Sequence, residues 1–163
     1  MVLSRFLATA TVACTLAFAP TSINAQDKSQ LVGAWSLVSF NLGTKPVFGS
    51  NPKGTIIFDA TGRYAMILVN SDREKKWTAK SREGASGDEL AAAARGLVSQ
   101  FGQWEVVDGG KTLVRKVEGA LNPALGGREQ RVGLSVKGDE LRLSDRASGV
   151  SGGDSEQVYR RVK

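Results

Sequence analysis

Apolar and polar residues alternate along most of this chain. In Trp104-Glu105-Val106 and Leu141-Arg142-Leu143 every second side chain is apolar and the one between is charged, the period of a strand with one buried face. Eight short segments rich in β-branched or aromatic residues predict eight strands, at residues 34–40, 54–59, 63–70, 103–107, 112–118, 129–136, 140–144 and 156–162. Turn sequences separate them. Asp59-Ala60-Thr61-Gly62, Asp108-Gly109-Gly110-Lys111 and Lys137-Gly138-Asp139 each place glycine where a tight hairpin needs it. The fold class that follows is all-β and antiparallel.

One segment breaks the alternation. Tyr64, Met66 and Leu68 form an inward series, yet Ala65, Ile67 and Val69 opposite them are also apolar, which predicts cover on both faces. A candidate cover lies downstream. Ser86-Gly87-Asp88-Glu89 reads as a capping box, and Leu90, Ala94, Leu97, Val98 and Phe101 follow at helical spacing. These predict one α-helix near residues 88–100, on the outside of the sheet or plugging a barrel end. Polar residues 72–87 and the Gly-rich residues 148–154 read as loops.

The first 25 residues read differently. Arg5 precedes an apolar run from Phe6 to Ala19, shorter than the ~20 residues of a membrane-spanning helix, and Ile23-Asn24-Ala25 supplies a small-residue cleavage site. This predicts a secretory signal peptide over residues 1–25 and a mature domain over 26–163. The expected destination is the periplasm or the exterior, after cleavage near Ala25. The chain's single cysteine, Cys14, falls inside that segment, so no disulfide is expected in the mature part.

There is no histidine anywhere in the chain. With the lone thiol also removed, the usual zinc, copper and haem ligand sets cannot be assembled, and Ser-His-Asp and Cys-His mechanisms are excluded. No metal and no cofactor are therefore expected. The net charge of +6 is spread along the strands, with local density from Arg73 to Arg82. That run reads as a solvated loop, or else as a contact with an anionic envelope surface. No nucleic-acid motif accompanies the charge.

Near the start of the predicted mature part stands Leu31-Val32-Gly33-Ala34-Trp35-Ser36-Leu37, with Gly-x-Trp opening the first strand. Further along come Phe48-Gly49-Ser50-Asn51-Pro52-Lys53-Gly54, Asp59-Ala60-Thr61-Gly62-Arg63-Tyr64, and Val117-Glu118-Gly119-Ala120-Leu121-Asn122-Pro123. In order and spacing these resemble the bacterial and fungal lipocalin-like domain family. The resemblance implies a single eight-stranded antiparallel up-and-down β-barrel of lipocalin or calycin type. It also implies that Trp35, introduced by Gly33, sits in the closed end, with Arg161 of the last strand across it. Relatives commonly carry histidines in the fifth strand. This chain reads Lys111-Thr112-Leu113-Val114-Arg115-Lys116-Val117 there, so any role of those imidazoles is absent or altered.

Counting by two from Trp35 turns Leu37, Ser39, Ile56, Phe58, Tyr64, Met66, Trp104, Val106, Leu113 and Arg115 inward. Phe58, Tyr64, Met66, Trp104 and Arg115 are the candidate ligand-binding residues, because small-molecule pockets combine apolar walls with a few polar groups. Core packing explains the same list. Arg115 discriminates best, since a charge facing into a barrel is costly unless paired; without a protein carboxylate its natural partner is an anionic ligand such as a fatty acid. One reading is an exported protein that binds a small hydrophobic or anionic amphipathic molecule. Alternatives are an isomerase or cyclase on a barrel scaffold and a filled barrel acting as an interaction domain. Catalysis needs an inward acid or base, and alternation turns Glu105 and Glu118 outward, so no catalytic residue is assigned and binding is favoured.

Overall fold

Each alternating segment is a strand in the computed structural model, which describes residues 28–73, 77–146 and 153–163. The expected signal segment and its cleavage site at Ala25 lie outside the described residues, as do residues 74–76 of the basic run and 147–152 of the Gly-rich loop. Strand β1 (Gly33–Leu42) is followed by a two-residue β2 (Lys45–Pro46), then β3 (Lys53–Phe58), β4 (Arg63–Val69), β5 (Leu97–Val107), β6 (Thr112–Ala120), β7 (Glu129–Lys137), β8 (Glu140–Asp145) and β9 (Ser155–Arg161). From β3 to β9 every strand pairs antiparallel with the next, and β1 pairs with both β3 and β9. Those two pairings close an eight-stranded barrel; β2 only extends the end of β1.

The turns form where the sequence places them. The Asp59 carboxylate accepts hydrogen bonds from the Arg63 amide and the Thr61 hydroxyl, each at 2.8 Å. These bonds, the Arg63 amide first, hold its carboxyl below the usual aspartate range.

The helix is shorter than its sequence pattern suggests. Helix α1 spans Gly87–Ala94, and its capping box forms: the Glu89 amide donates to Ser86 Oγ at 3.3 Å and the Ser86 amide to Glu89 Oε2 at 2.9 Å. Beyond Ala94 the chain turns through Gly96 at φ +71° and enters β5. Leu97, Val98 and Phe101, at helical spacing, are strand residues. Pairing with the whole of β4, from Val69 opposite Leu97 to Arg63 opposite Gln103, overrides that local periodicity. Nor does α1 cover β4. None of its residues is buried, and Ile67 on the outer face of β4 stays 46% exposed. No helix among the described residues is long and apolar enough to cross a membrane.

The core fills the barrel with Trp35, Ile56, Phe58, Leu68, Leu113, Leu141 and Tyr159. A bulge at Val38 resets the face of β1: Leu37 pairs with Tyr159 but Ser39 pairs with Val158. Phe40, not Ser39, therefore points into the core, where it stacks on Phe48 at 5.0 Å. A second bulge, at Glu118, brings β6 so close to β5 that a Cβ on Gly102 would stand 2.0 Å from the Lys116 carbonyl oxygen.

One end of the barrel is sealed by the first and last strands together. The Arg161 guanidinium lies 4.0 Å from the centre of the Trp35 ring. It donates to the Val32 carbonyl at 2.9 Å and to the Gln30 carbonyl, while the Trp35 indole N–H donates to Leu31 at 2.8 Å. Gly33 stands at φ +125°, and a Cβ there would approach Arg161 Nη1 to 3.2 Å. Both facts account for glycine two residues before the tryptophan.

Arg161→Ala removes the cation–π contact and two carbonyl partners, so it should lower stability by about 2 kcal/mol, several degrees in Tm; an unchanged melting curve contradicts this. A local tether is also testable. Glu89 Oε1 accepts from the Thr78 amide at 2.6 Å and from the Ala79 amide at 3.3 Å. The Thr78 amide, then the Ser86 amide, pull its pKa down to about 2. A depressed carboxylate contributes above its unfolded value and loses that contribution as pH falls through the folded one. Thr78 and Ala79 should thus stay protected from hydrogen exchange down to about pH 2, and Glu89→Ala should expose both at neutral pH.

Candidate functional site

Polar side chains collect inside the barrel at the end away from Trp35. The register shows which end that is: Gly33 begins β1 beside Phe58, whereas Leu42 ends β1 beside Ser155 of β9. Ser144, Asp145, Ser155 and Gln157 line a cavity there, with Phe40, Met66, Val98, Gln100, Arg115, Gln130, Val132 and Leu143. Its free volume is about 20 Å³, room for about one water molecule. The barrel is nearly full.

Arg115 is the group that least belongs in a core. On β6 it follows the inward parity of Leu113, and it lies between Trp104 of β5 and Gln130 of β7. Only 5% of it is exposed. A guanidinium carries five N–H donors. Here Nη1 reaches only the Met66 sulfur, at 3.7 Å, Nε has no partner, and among the described residues no carboxylate is within ion-pair distance. Burial pushes its pKa down, while Tyr64, Tyr159 and Asp145 nearby pull it the other way.

Its neighbours share the shortage. Gln100, 3% exposed, donates to Gln130 at 3.0 Å and leaves its own Oε1 without a partner. The Tyr64 hydroxyl is also buried and unpartnered. Tyr159 donates to Gln157 at 2.6 Å. Burial raises the pKa of both phenols, so they are neutral donors at physiological pH.

Only two of the five ligand-binding candidates reach the cavity. Met66 and Arg115 line the cavity. Phe58 and Trp104 do not: their rings pack edge to face at 5.1 Å, the Trp104 indole N–H donates to the Asp59 carbonyl at 3.2 Å, and Lys28 lies over the indole. Tyr64 stands between, its ring 6.5 Å from Phe58. Alternation finds inward residues without saying how far along the barrel each one sits. Gln100, Gln130, Gln157 and Tyr159 escaped the sequence reading. Gln100 was hidden by the helical pattern, whereas Tyr159 and Gln157 were within reach of a count by two from Arg161.

Of the carboxylates, Asp145 lines the cavity, whereas Glu105 and Glu118 lie on the outer face. Glu118 pairs with both Arg63 Nη atoms at 2.5 and 2.7 Å, and Glu105 with Lys116 at 3.1 Å. Among the described residues no three His, Cys, Asp or Glu side chains converge as a metal site would require. A larger hollow of about 610 Å³ lies outside the barrel between Ile57, Ile67, Phe101 and Leu121. It is apolar and shallow. Phe101 lies over Gly119 there, where a Cβ would come within 2.6 Å of the ring.

The family model of the lipocalin-like domain matches residues 32–162, from just before the strand of Trp35 to just beyond that of Arg161. No curated protein matches the chain.

The unpartnered hydroxyl sets a test. Tyr64→Phe removes a buried donor that nothing among the described residues satisfies, so stability to urea should rise by about 1 kcal/mol. A fall of that size shows instead that the hydroxyl is bonded in solution.

Proposed function

The chain belongs to the lipocalin-like domain family, and from that membership we propose that it is an exported binding protein whose barrel takes a small amphipathic molecule at the Arg115 end. The observation that carries this reading is Arg115 itself. A guanidinium 5% exposed, with a thioether as its one close acceptor among the described residues, is expensive to keep. An ion pair or a full set of hydrogen bonds offsets that cost, and the described residues supply neither. A bound molecule completes the site. Family membership supports the same reading, since the barrel is a ligand-binding scaffold. The outward Glu105 and Glu118 weigh against an isomerase or cyclase on this scaffold. Export rests on residues 1–25, whose charge, apolar run and Ala25 fit a cleaved signal.

One observation favours a second reading. A cavity of about 20 Å³ also suits a filled barrel that serves as an interaction domain. Native mass spectrometry of protein purified from its own envelope separates the two. The binding reading expects a stoichiometric small molecule that is lost on denaturation; protein that is bare by mass and unshifted in Tm by every amphipathic compound added leaves the filled barrel. The same spectrum should give a mass starting near Gln26, and an uncleaved N-terminus refutes the export proposal.

A further inference from the structure

We infer that the outer face of β3 to β6 is a self-association surface, on which a second copy of this chain packs in a weak two-fold contact; this goes beyond the binding reading and holds whatever the barrel contains. Shape, charge and area carry it.

Strand register lays out the shape. One row across the outside of the sheet reads Ala34, Ile57, Ala65, Phe101 and Gly119 from β1 to β6, and the next reads Thr55, Ile67 and Ser99. Large and small side chains alternate along the first row. Ile57 and Phe101 stand two strands apart, about 10 Å, and Ala65 between them helps form the floor of the apolar hollow of about 610 Å³. Side chains of two packed sheets interdigitate across a gap of about 10 Å, the large ones of each entering spaces between those of the other. A two-fold rotation offers the ridge of each copy to the groove of its mate.

Charge selects the occupant. A two-fold contact brings the same patch of each chain together, so a charged face repels its own copy, and this chain carries +6 overall. No position in either row is charged, and the ion pair at their border, Arg63 with Glu118, is neutral as a unit. The charges lie elsewhere on the wall, in pairs such as Arg131 with Glu129 and Arg142 with Glu140. Depletion of charge at the centre is what marks a protein interface. An anionic bilayer asks for cations in the face, and these rows hold none. A small molecule in so shallow a hollow keeps much of its surface in water.

Area sets the strength. Ile57, Ile67, Phe101 and Leu121 are each 42–50% exposed. Together they form an apolar patch on the order of 400 Å², the size that marks an interaction site on a monomer and about half of what each partner buries in a stable complex. The contact is therefore a reversible one.

Sedimentation equilibrium of the purified protein, from about 1 μM to about 1 mM, tests the proposal. The mass should climb from one chain to two, with half the chains paired near 0.1 mM, about 5 kcal/mol of association. Raising the ionic strength from about 0.05 to about 0.5 M should tighten the pair, because salt screens the repulsion between two positive chains and spares an apolar contact. Ala65→Arg fills the groove and sets like charges against each other, so it should weaken pairing at least tenfold with little change in Tm, since Ala65 is exposed. Arg142→Ala, on the charged part of the wall, should pair as the parent does. The salt series uses the unaltered protein and decides the matter if the Ala65 variant fails to fold. A chain that stays single at 1 mM overturns the proposal, as does a pair that loosens with salt or that Ala65→Arg leaves intact. Pelleting of the single chain with phosphatidylglycerol vesicles gives the face to a membrane instead.

Discussion

The closure of this barrel depends on a cation laid on an aromatic ring. Arg161, on the last strand, covers the indole of Trp35, on the first, and donates into the backbone that leads up to β1. Strands at the two ends of the chain must find each other for the sheet to close. That contact, with the pairing of β1 and β9, brings them together. No disulfide shares the task, since the described residues contain no cysteine. Once closed, the eight-stranded barrel leaves none of its eight strands as a free edge, and its ladders satisfy the backbone groups that an open sheet would expose. The ion pairs on the outer face, such as Arg63 with Glu118 and Arg142 with Glu140, add little by comparison, because solvent screens them.

Two arginines on inward-facing positions show how differently one side chain can be used. Arg161 is 27% exposed in its side chain, and its donors meet carbonyl oxygens and an aromatic face. Arg115 is buried and meets a sulfur. The first is satisfied within the fold and has a structural account. The second is not, and among the described residues Gln100 and Tyr64 also hold buried polar atoms without partners. A cluster of unsatisfied polar atoms within one region of an otherwise apolar core is a feature that packing alone does not explain.

The barrel's two ends also differ in how they use aromatic residues. Toward Trp35, Phe58 and Trp104 pack on each other, and Trp104 spends its N–H on a backbone carbonyl. Toward Arg115, the lining is glutamine, serine and a few aliphatic chains. A candidate list drawn from the inward face mixed both ends. Only the contacts of each side chain in three dimensions separate a sealing cluster from a polar cavity, since the register sets Trp104 opposite Arg115.

From its residues alone the chain determined its strands, its hairpin turns, the capping box at Ser86 and the inward parity of Arg115, because each depends on a period of two or on a few adjacent side chains. The fit of Gly33, Trp35 and Arg161 to a known pattern pointed to the closed end. Tertiary structure decided the rest. Pairing with β4 made a strand of residues 97–101, since a full ladder of backbone bonds outweighs a local helical spacing. A bulge at Val38 turned Phe40 inward in place of Ser39, and bulges arise from the partner strand's register, which no single segment encodes. The size of the cavity was decided last and by everything together. Whether a barrel is full depends on how all its inward side chains interdigitate in three dimensions, and here they leave room beside Arg115 for very little.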